Sequence, residues 1–273
     1  MTVSQARPEP APDGGAQLVR EWPPEGPVAG DVVIVHGLGE HSGRYERTGG
    51  LLGDAGYRVR SFDLLGFGAS SGRRADIERF ALYLDQIEGH LEALRTTGRP
   101  LVLLGHSLGG LLALEYALAE RPQPDLLVLS APALSGGAAW QRKLAPILGR
   151  MFPTLTLPAA IRGDMLSRDP AVGEAYFADP LVITKATARL GAGIFAAGDR
   201  ARAALTRLQV PTLVIHGGSD TLVPTPASEI LASLPLVERR VFPSLRHEIF
   251  NEPEGPEVVA EVIEWIGSKG TKA

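Results

Sequence analysis

Short apolar runs alternate with helical patterns along most of this chain. Residues 32–35 (VVIV) end at His36-Gly37, 58–62 (RVRSF) at Asp63, 101–104 (LVLL) at Gly105, 126–129 (LLVL) at Ser130-Ala131-Pro132, and 212–215 (TLVI) at His216-Gly217. Val241-Phe242, before Pro243, is a shorter run of the same kind. Runs of this length bounded by glycine and proline predict buried parallel strands. Helical spacing occupies 75–95, 110–120 and 257–265. The alternation predicts a doubly wound α/β sheet, in which a site lies at the carboxyl ends of the strands. His36, Asp63, Ser107 and Asp220 all fall at or just after such ends.

The rhythm breaks between residues 133 and 200. No strand pattern stands out there. Apolar residues recur at helical spacing (Leu144, Ile147, Leu148, Met151, Phe152) until Pro153 and Pro158 interrupt. A stretch of this kind inside an alternating chain reads as an inserted helical cap. The expected organisation is therefore a flexible lead-in over 1–15, a core over 16–132 and 201–268, and a cap over 133–200. Pro8, Pro10 and Pro12 motivate the flexible reading of the first segment.

Composition narrows the function. The net charge of −4 comes without a basic arm or an acidic tail, which argues against nucleic-acid binding. The chain has no cysteine, which excludes disulfides, thiol catalysis and cysteine-ligated zinc. No apolar stretch approaches membrane-spanning length, and the first residues lack a signal-like apolar region. These features point to a soluble, cytoplasmic protein.

The chemistry gathers at Gly105-His106-Ser107-Leu108-Gly109. A G-x-S-x-G sequence between a strand and a helix forms a sharp turn that lifts the serine hydroxyl above the sheet. Larger residues two positions either side would collide, hence the glycines. A second match, Gly68-Ala69-Ser70-Ser71-Gly72, lacks that setting, so Ser70 reads as a loop serine.

A serine hydroxyl needs a base, and the base needs an orienting acid. The expected chain order is Ser, then Asp or Glu, then His. Only His216 and His247 follow Ser107. His216 abuts a strand end and reads as structural. His247 lies in a polar loop after the last short strand, where the base belongs. Asp220 follows residues 212–215 through Gly217, Gly218 and Ser219, and so is the expected acid ahead of Glu229, Glu238 and Glu248. The backbone amides of Leu38 and Leu108 are the expected oxyanion donors. His36, Glu40 and His41 match no zinc spacing, and no metal or other cofactor is expected.

Several segments resemble the monoacylglycerol lipase and lysophospholipase branch of the α/β-hydrolases. They are 36–45 (HGLGEHSGRY), 105–110 (GHSLGG), 130–134 (SAPAL), 216–220 (HGGSD) and 245–254 (LRHEIFNEPE), with 167–170 (SRDP) and 179–182 (DPLV) inside the cap. The resemblance implies an α/β-hydrolase fold and a serine ester hydrolase acting on monoacylglycerols or similar lipid monoesters. It carries the triad onto Ser107, Asp220 and His247 and the oxyanion donors onto Leu38 and Leu108. It further implies that Glu40, Arg44 and His106 lie near a head-group pocket or brace the oxyanion loop. One departure is visible: the family tends to have arginine and histidine where this chain has Leu65 and Phe67.

The apolar cap residues Leu144, Ile147, Met151 and Phe152 are expected to line a tunnel for one acyl chain. Transient contact of the cap with a lipid surface follows from the same residues. A short-chain carboxylesterase, thioesterase, acyl transferase or lysophospholipase would share the triad. A non-catalytic binding protein on this fold is the alternative of another class. Nothing in the sequence speaks to the oligomeric state.

Overall fold

The computed structural model describes residues 1–95, 98–134 and 139–270. An eight-stranded sheet runs in the order β1-β2-β4-β3-β5-β6-β9-β10. Its parallel part comprises β3 (Gly30–Val35), β4 (Tyr57–Phe62), β5 (Leu101–His106), β6 (Leu126–Ser130), β9 (Thr212–Gly217) and β10 (Val237–Phe242). Each apolar run of the sequence lies in one of these strands. Successive side chains alternate between faces. Val33, Val35, Leu101 and Leu103 therefore join one core with Ile87, Leu91 and Leu111, while Val32, Ile34, Val102 and Leu104 join another with Leu52, Val258 and Trp265.

Helices cover both faces. They are α1 (Glu46–Asp54), α2 (Ala81–Leu94), α3 (Leu108–Leu118) and α8 (Gly255–Gly270). Every residue of α3 is buried, which explains why its sequence is apolar all round rather than striped. Helix α2 begins later than its periodicity suggests. Residues 75–80 instead form a turn in which Ala75 has φ 52°, and Asp76 accepts hydrogen bonds from Thr187 Oγ1 and Arg189 Nε.

The sheet extends beyond the predicted strands. β1 (Gln5–Pro10) and β2 (Ala16–Trp22) add an antiparallel edge, so the expected flexible lead-in over 1–15 is corrected. Proline lacks an amide donor, but an outermost strand has a row of positions that need none, so Pro8 and Pro10 are tolerated there. β10 closes the other edge. Its Glu238, Arg239 and Arg240 break the apolar run in the sequence and suit an edge that must not pair further.

The segment after β6 contributes α4 (Ala139–Met151), β7 (Thr156–Pro158), α5 (Gly163–Leu166), α6 (Pro170–Ala178), β8 (Lys185–Thr187) and α7 (Ala188–Ala204). The expectation of a strandless segment is corrected here, since β7 and β8 pair antiparallel. Three-residue strands are too short to leave an alternating pattern. α7 packs on α3 and α4, which seats the segment on the core. No described helix is long and apolar enough to cross a membrane.

Candidate active site

Ser107 is the hinge between β5 and α3. Its backbone is left-handed, with φ 53° and ψ −114°, a conformation that costs a non-glycine residue energy unless its surroundings enforce it. Close packing enforces it here. A Cβ on Gly105 would lie 2.2 Å from the Gly109 carbonyl oxygen, and one on Gly109 would lie 2.1 Å from that of Val35. The Ser107 amide donates to Ser130 O at 2.9 Å, and its carbonyl accepts from Leu111 and Ala133. Ser70 is different. Its hydroxyl donates to Asp63 O at 2.7 Å and accepts the Leu18 amide at 3.0 Å, so it ties a loop to the edge strand.

Asp220 follows β9 and is almost fully buried. One carboxylate oxygen, Oδ1, accepts the amides of Leu222 and Val223 at 2.8 and 2.9 Å. The other, Oδ2, lies 2.7 Å from His247 Nδ1. Burial pushes the Asp220 carboxyl up, but hydrogen bonds from His216 and His247 outweigh it and hold the acid well below the usual carboxylate range. An ionised carboxylate only accepts, so His247 Nδ1 carries the proton and Nε2 is left as the basic nitrogen. His216 divides its donor between Asp220 and the backbone. Its Nε2 donates to Val223 O at 2.8 Å, with Asp220 Oδ2 at 3.3 Å, and its Nδ1 accepts from Ser228 Oγ at 2.9 Å.

Ser107, Leu38, Leu108 and His247 line one cavity of about 400 Å³. Leu108 is the first residue of α3, and the first amides of a helix have no partner within it, so this N–H is a donor available to an anion. Leu38 follows β3. Its loop is braced by Glu40, whose Oε1 accepts the Gly37 amide and the Tyr45 hydroxyl. His36 engages the backbone through both ring nitrogens, Nδ1 to Gly37 O and Nε2 from the Leu64 amide.

A buried polar group adjoins this cavity. Arg44 bridges Glu40 and Glu248, at 3.2 and 2.6 Å, and lies 4.8 Å from the centre of the Tyr176 ring. One guanidinium serves two carboxylates, so their acidities separate. Burial raises Glu40, but the Arg44 guanidinium and the hydrogen bond from Tyr45 bring it below its ordinary value. Burial raises Glu248, and Arg44 does not fully offset it. The His106 ring lies 4.7 Å from that of His247. Burial, reinforced by repulsion from His247, lowers His106 to about 3 and keeps it neutral.

Sequence-expected binding residues separate into three groups. Glu40 and His106 line the cavity. Arg44 does not. It lines a small void beside Thr48 and Phe250 that shares Glu40, His106 and Glu248 with the cavity. Ile147, Met151 and Phe152 are 54, 65 and 54 % exposed and do not line this cavity, so the expectation that they line a tunnel is corrected. The reason is packing: a Cβ on Gly149 would lie 2.8 Å from Ala192 Cβ. That contact turns the Gly149 side of α4 towards α7 and leaves Ile147 and Met151 in water.

The apolar wall instead comes from Ile161, Leu166, Ile194, Phe195 and Val223. A second hollow of about 220 Å³ runs between α4, β7, β8 and α7. It shares Leu38, Gln141, Ala159 and Phe195 with the main cavity and continues along Leu144, Leu148, Leu157 and Gly191. A larger groove of about 660 Å³, bordered by Pro100, Asp125, Pro211 and Glu238, holds none of Ser107, Asp220, His247, Leu38 and Leu108. Leu65 and Phe67, the departures noted above, are buried, with Phe67 edge-on to His36. Apolar packing steadies the loop there, and Asp63 holds it through Ser42 and the Ala69 amide.

Fold and site together define a serine hydrolase of the α/β-hydrolase fold. The chain belongs to the serine aminopeptidase S33 family, whose model matches residues 26–254. A monoacylglycerol lipase from Mycolicibacterium smegmatis is 33% identical over 265 residues, 93% of this chain and 94% of that protein. The crystal structure of a monoacylglycerol lipase from Paleococcus ferrophilus is 34% identical, with TM-score 0.84, over 92% of this chain and 98% of that one. A soluble variant of the Saccharomyces cerevisiae monoglyceride lipase, solved with a substrate analog, shares the fold at TM-score 0.88 with 22% identity, over 100% of this chain and 97% of that one.

Proposed function

We propose that this protein is a serine ester hydrolase that cleaves monoacylglycerols through an acyl-enzyme. The observation that carries the reading is the cavity shared by Ser107 and His247, with His247 held by Asp220 at 2.7 Å. In this reading His247 Nε2 takes the Ser107 proton as Oγ attacks the ester carbonyl carbon. The Leu38 and Leu108 amides hold the resulting oxyanion. Collapse breaks the bond to the alcohol oxygen, which receives the proton from His247. Water then attacks the acyl-serine, giving a proton to the same nitrogen; collapse breaks the bond to Ser107 Oγ, which takes that proton back, and the fatty acid leaves. Asp220 stabilises the transient imidazolium and is not itself protonated.

Substrate shape is argued from the two ends of the site. Glu40, His106 and Glu248 gather on the side of Tyr176, where a polyol head finds hydrogen-bonding partners. Ile194 and Phe195 lead the other way, into the apolar hollow. One polar head and one acyl chain fit this arrangement. The residues from α4 to α7 act as the lid over the serine. Trp140, Leu144, Ile147 and Met151 form an exposed apolar stripe on α4, flanked by exposed Lys143 and Arg150, and this stripe meets the lipid surface that holds the substrate. The similarity to monoacylglycerol lipases supports the same substrate class. The test is turnover of monoacylglycerol beside triacylglycerol and lysophospholipid. Faster cleavage of triacylglycerol, or none of any of them, would contradict the reading.

A further inference from the structure

The loop that carries His247 is fastened to the cap. The His247 amide donates to Met165 O at 3.4 Å and the Glu248 amide to Leu166 O at 2.8 Å. Arg246 Nη1 donates to Ser167 O at 3.0 Å. Beneath these bonds lies Glu252, whose side chain is fully buried. Its Oε1 accepts the Arg246 amide at 2.7 Å. Its Oε2 accepts Ser167 Oγ and the Arg168 amide, each at 3.0 Å, and Arg168 Nε at 3.3 Å. One oxygen thus serves the residue next to His247, and the other serves the cap. A buried carboxylate is costly unless its oxygens are satisfied. Separating the two segments would strip Glu252 of one set of donors.

We propose that Glu252 is a positioning residue: it pins the loop bearing His247 to cap residues 167 and 168, so that the base is in place only while the cap is docked. The inference rests on the reading of His247 as the general base. It differs from a plain structural anchor in one respect. If Glu252 only held the cap, its loss would harm substrates that use the cap and spare those that do not. If it aligns the base, every ester suffers alike, because each turnover passes through His247.

The experiment compares p-nitrophenyl acetate with p-nitrophenyl decanoate on the full chain. Glu252→Gln puts an amide nitrogen against one set of donors. It is expected to lower kcat about 10- to 100-fold for both esters with KM little changed, the scale set by a misplacement near 1 Å. Asp31→Asn is the stability control. It breaks a buried pairing with Arg58 at the start of β3 and should lower Tm with kcat unchanged. A loss confined to decanoate, or no loss, overturns the proposal. So does an equal kcat loss in Asp31→Asn at matched Tm. Should Glu252→Gln not fold, Ser167→Ala takes its place, removing one cap-side donor while keeping the charge. Its expected loss is smaller but again equal for the two esters, and a loss on decanoate alone overturns the proposal. Wild type must cleave both esters and Ser107→Ala neither. Failure there removes the catalytic reading itself, and the positioning role with it, and is seen before any Glu252 variant is made.

Discussion

His247 Nδ1 meets Asp220 Oδ2 at 2.7 Å, while Asp220 Oδ1 is held by the amides of Leu222 and Val223. The carboxylate is thus fixed by the backbone before it orients the ring. Asp220→Asn would keep the shape but present an amide that favours the wrong imidazole tautomer. It should lower kcat by about 10⁴, as such changes do in serine triads. Glu248→Gln should be far milder, since Glu248 hydrogen-bonds Arg44 and Asn251. Steady-state kinetics of both variants check the assignment. A mild Asp220→Asn beside a severe Glu248→Gln would move the acid to Glu248.

The apolar hollow predicts how specificity depends on the acyl chain. Each buried CH₂ should add up to about 0.8 kcal/mol, so kcat/KM should climb with chain length and then level off. Gly191 lines this hollow, and a Cβ built there meets nothing within 4 Å. Gly191→Leu should therefore fold, gain helix propensity, and fill the space. The variant should lose the long-chain advantage and keep acetate turnover. An unchanged chain-length profile would show that the chain takes another route.

Acid sensitivity should trace partly to His106. Its neutral form is the one the fold keeps, with the pKa lowered from 6.5 to about 3 by burial and by His247. Below about 6.5 the unfolded chain binds a proton that folded His106 refuses. Its contribution to stability is therefore complete above that value and lost as pH falls from 6.5 toward 3. Urea unfolding of His106→Gln between these limits should have a shallower pH slope than wild type. The difference should approach one proton, about 1.4 kcal/mol per pH unit. Parallel slopes would contradict the neutral buried state.

The stripe on α4 predicts membrane contact. Ile147→Asp with Met151→Asp should weaken co-sedimentation with anionic vesicles and leave hydrolysis of a soluble ester unchanged, because both side chains face solvent rather than the cavity. Equal vesicle binding by variant and wild type would assign the stripe no such role.

The sequence revealed whatever depended on local sterics or on unbroken apolar runs. Gly105 and Gly109 announce the turn at Ser107 because no other residue fits between β5, α3 and the end of β3. The buried strands show as runs because both their faces are covered. Edge strands carry no such mark: β1 contains prolines and β10 three consecutive charged residues. The segment between β6 and β9 was legible as a break in the strand rhythm but not in its orientation. Which side of α4 turns inward depends on the approach of Gly149 to Ala192, a contact between residues distant in sequence. Ile161 and Phe195 entered the cavity unannounced for the same reason. Glu252 belongs to the segment 245–254, yet its role is visible only when Ser167 and Arg246 are seen on either side of it.

The nucleophile is open to the most direct measurement. A fluorophosphonate reacts only with an activated serine, and intact and peptide mass spectrometry locate the adduct. One adduct is expected per chain, on Ser107. It should form equally in Ser70→Ala and be absent in Ser107→Ala and His247→Ala. An adduct on Ser70, or normal ester turnover by Ser107→Ala, would contradict the account.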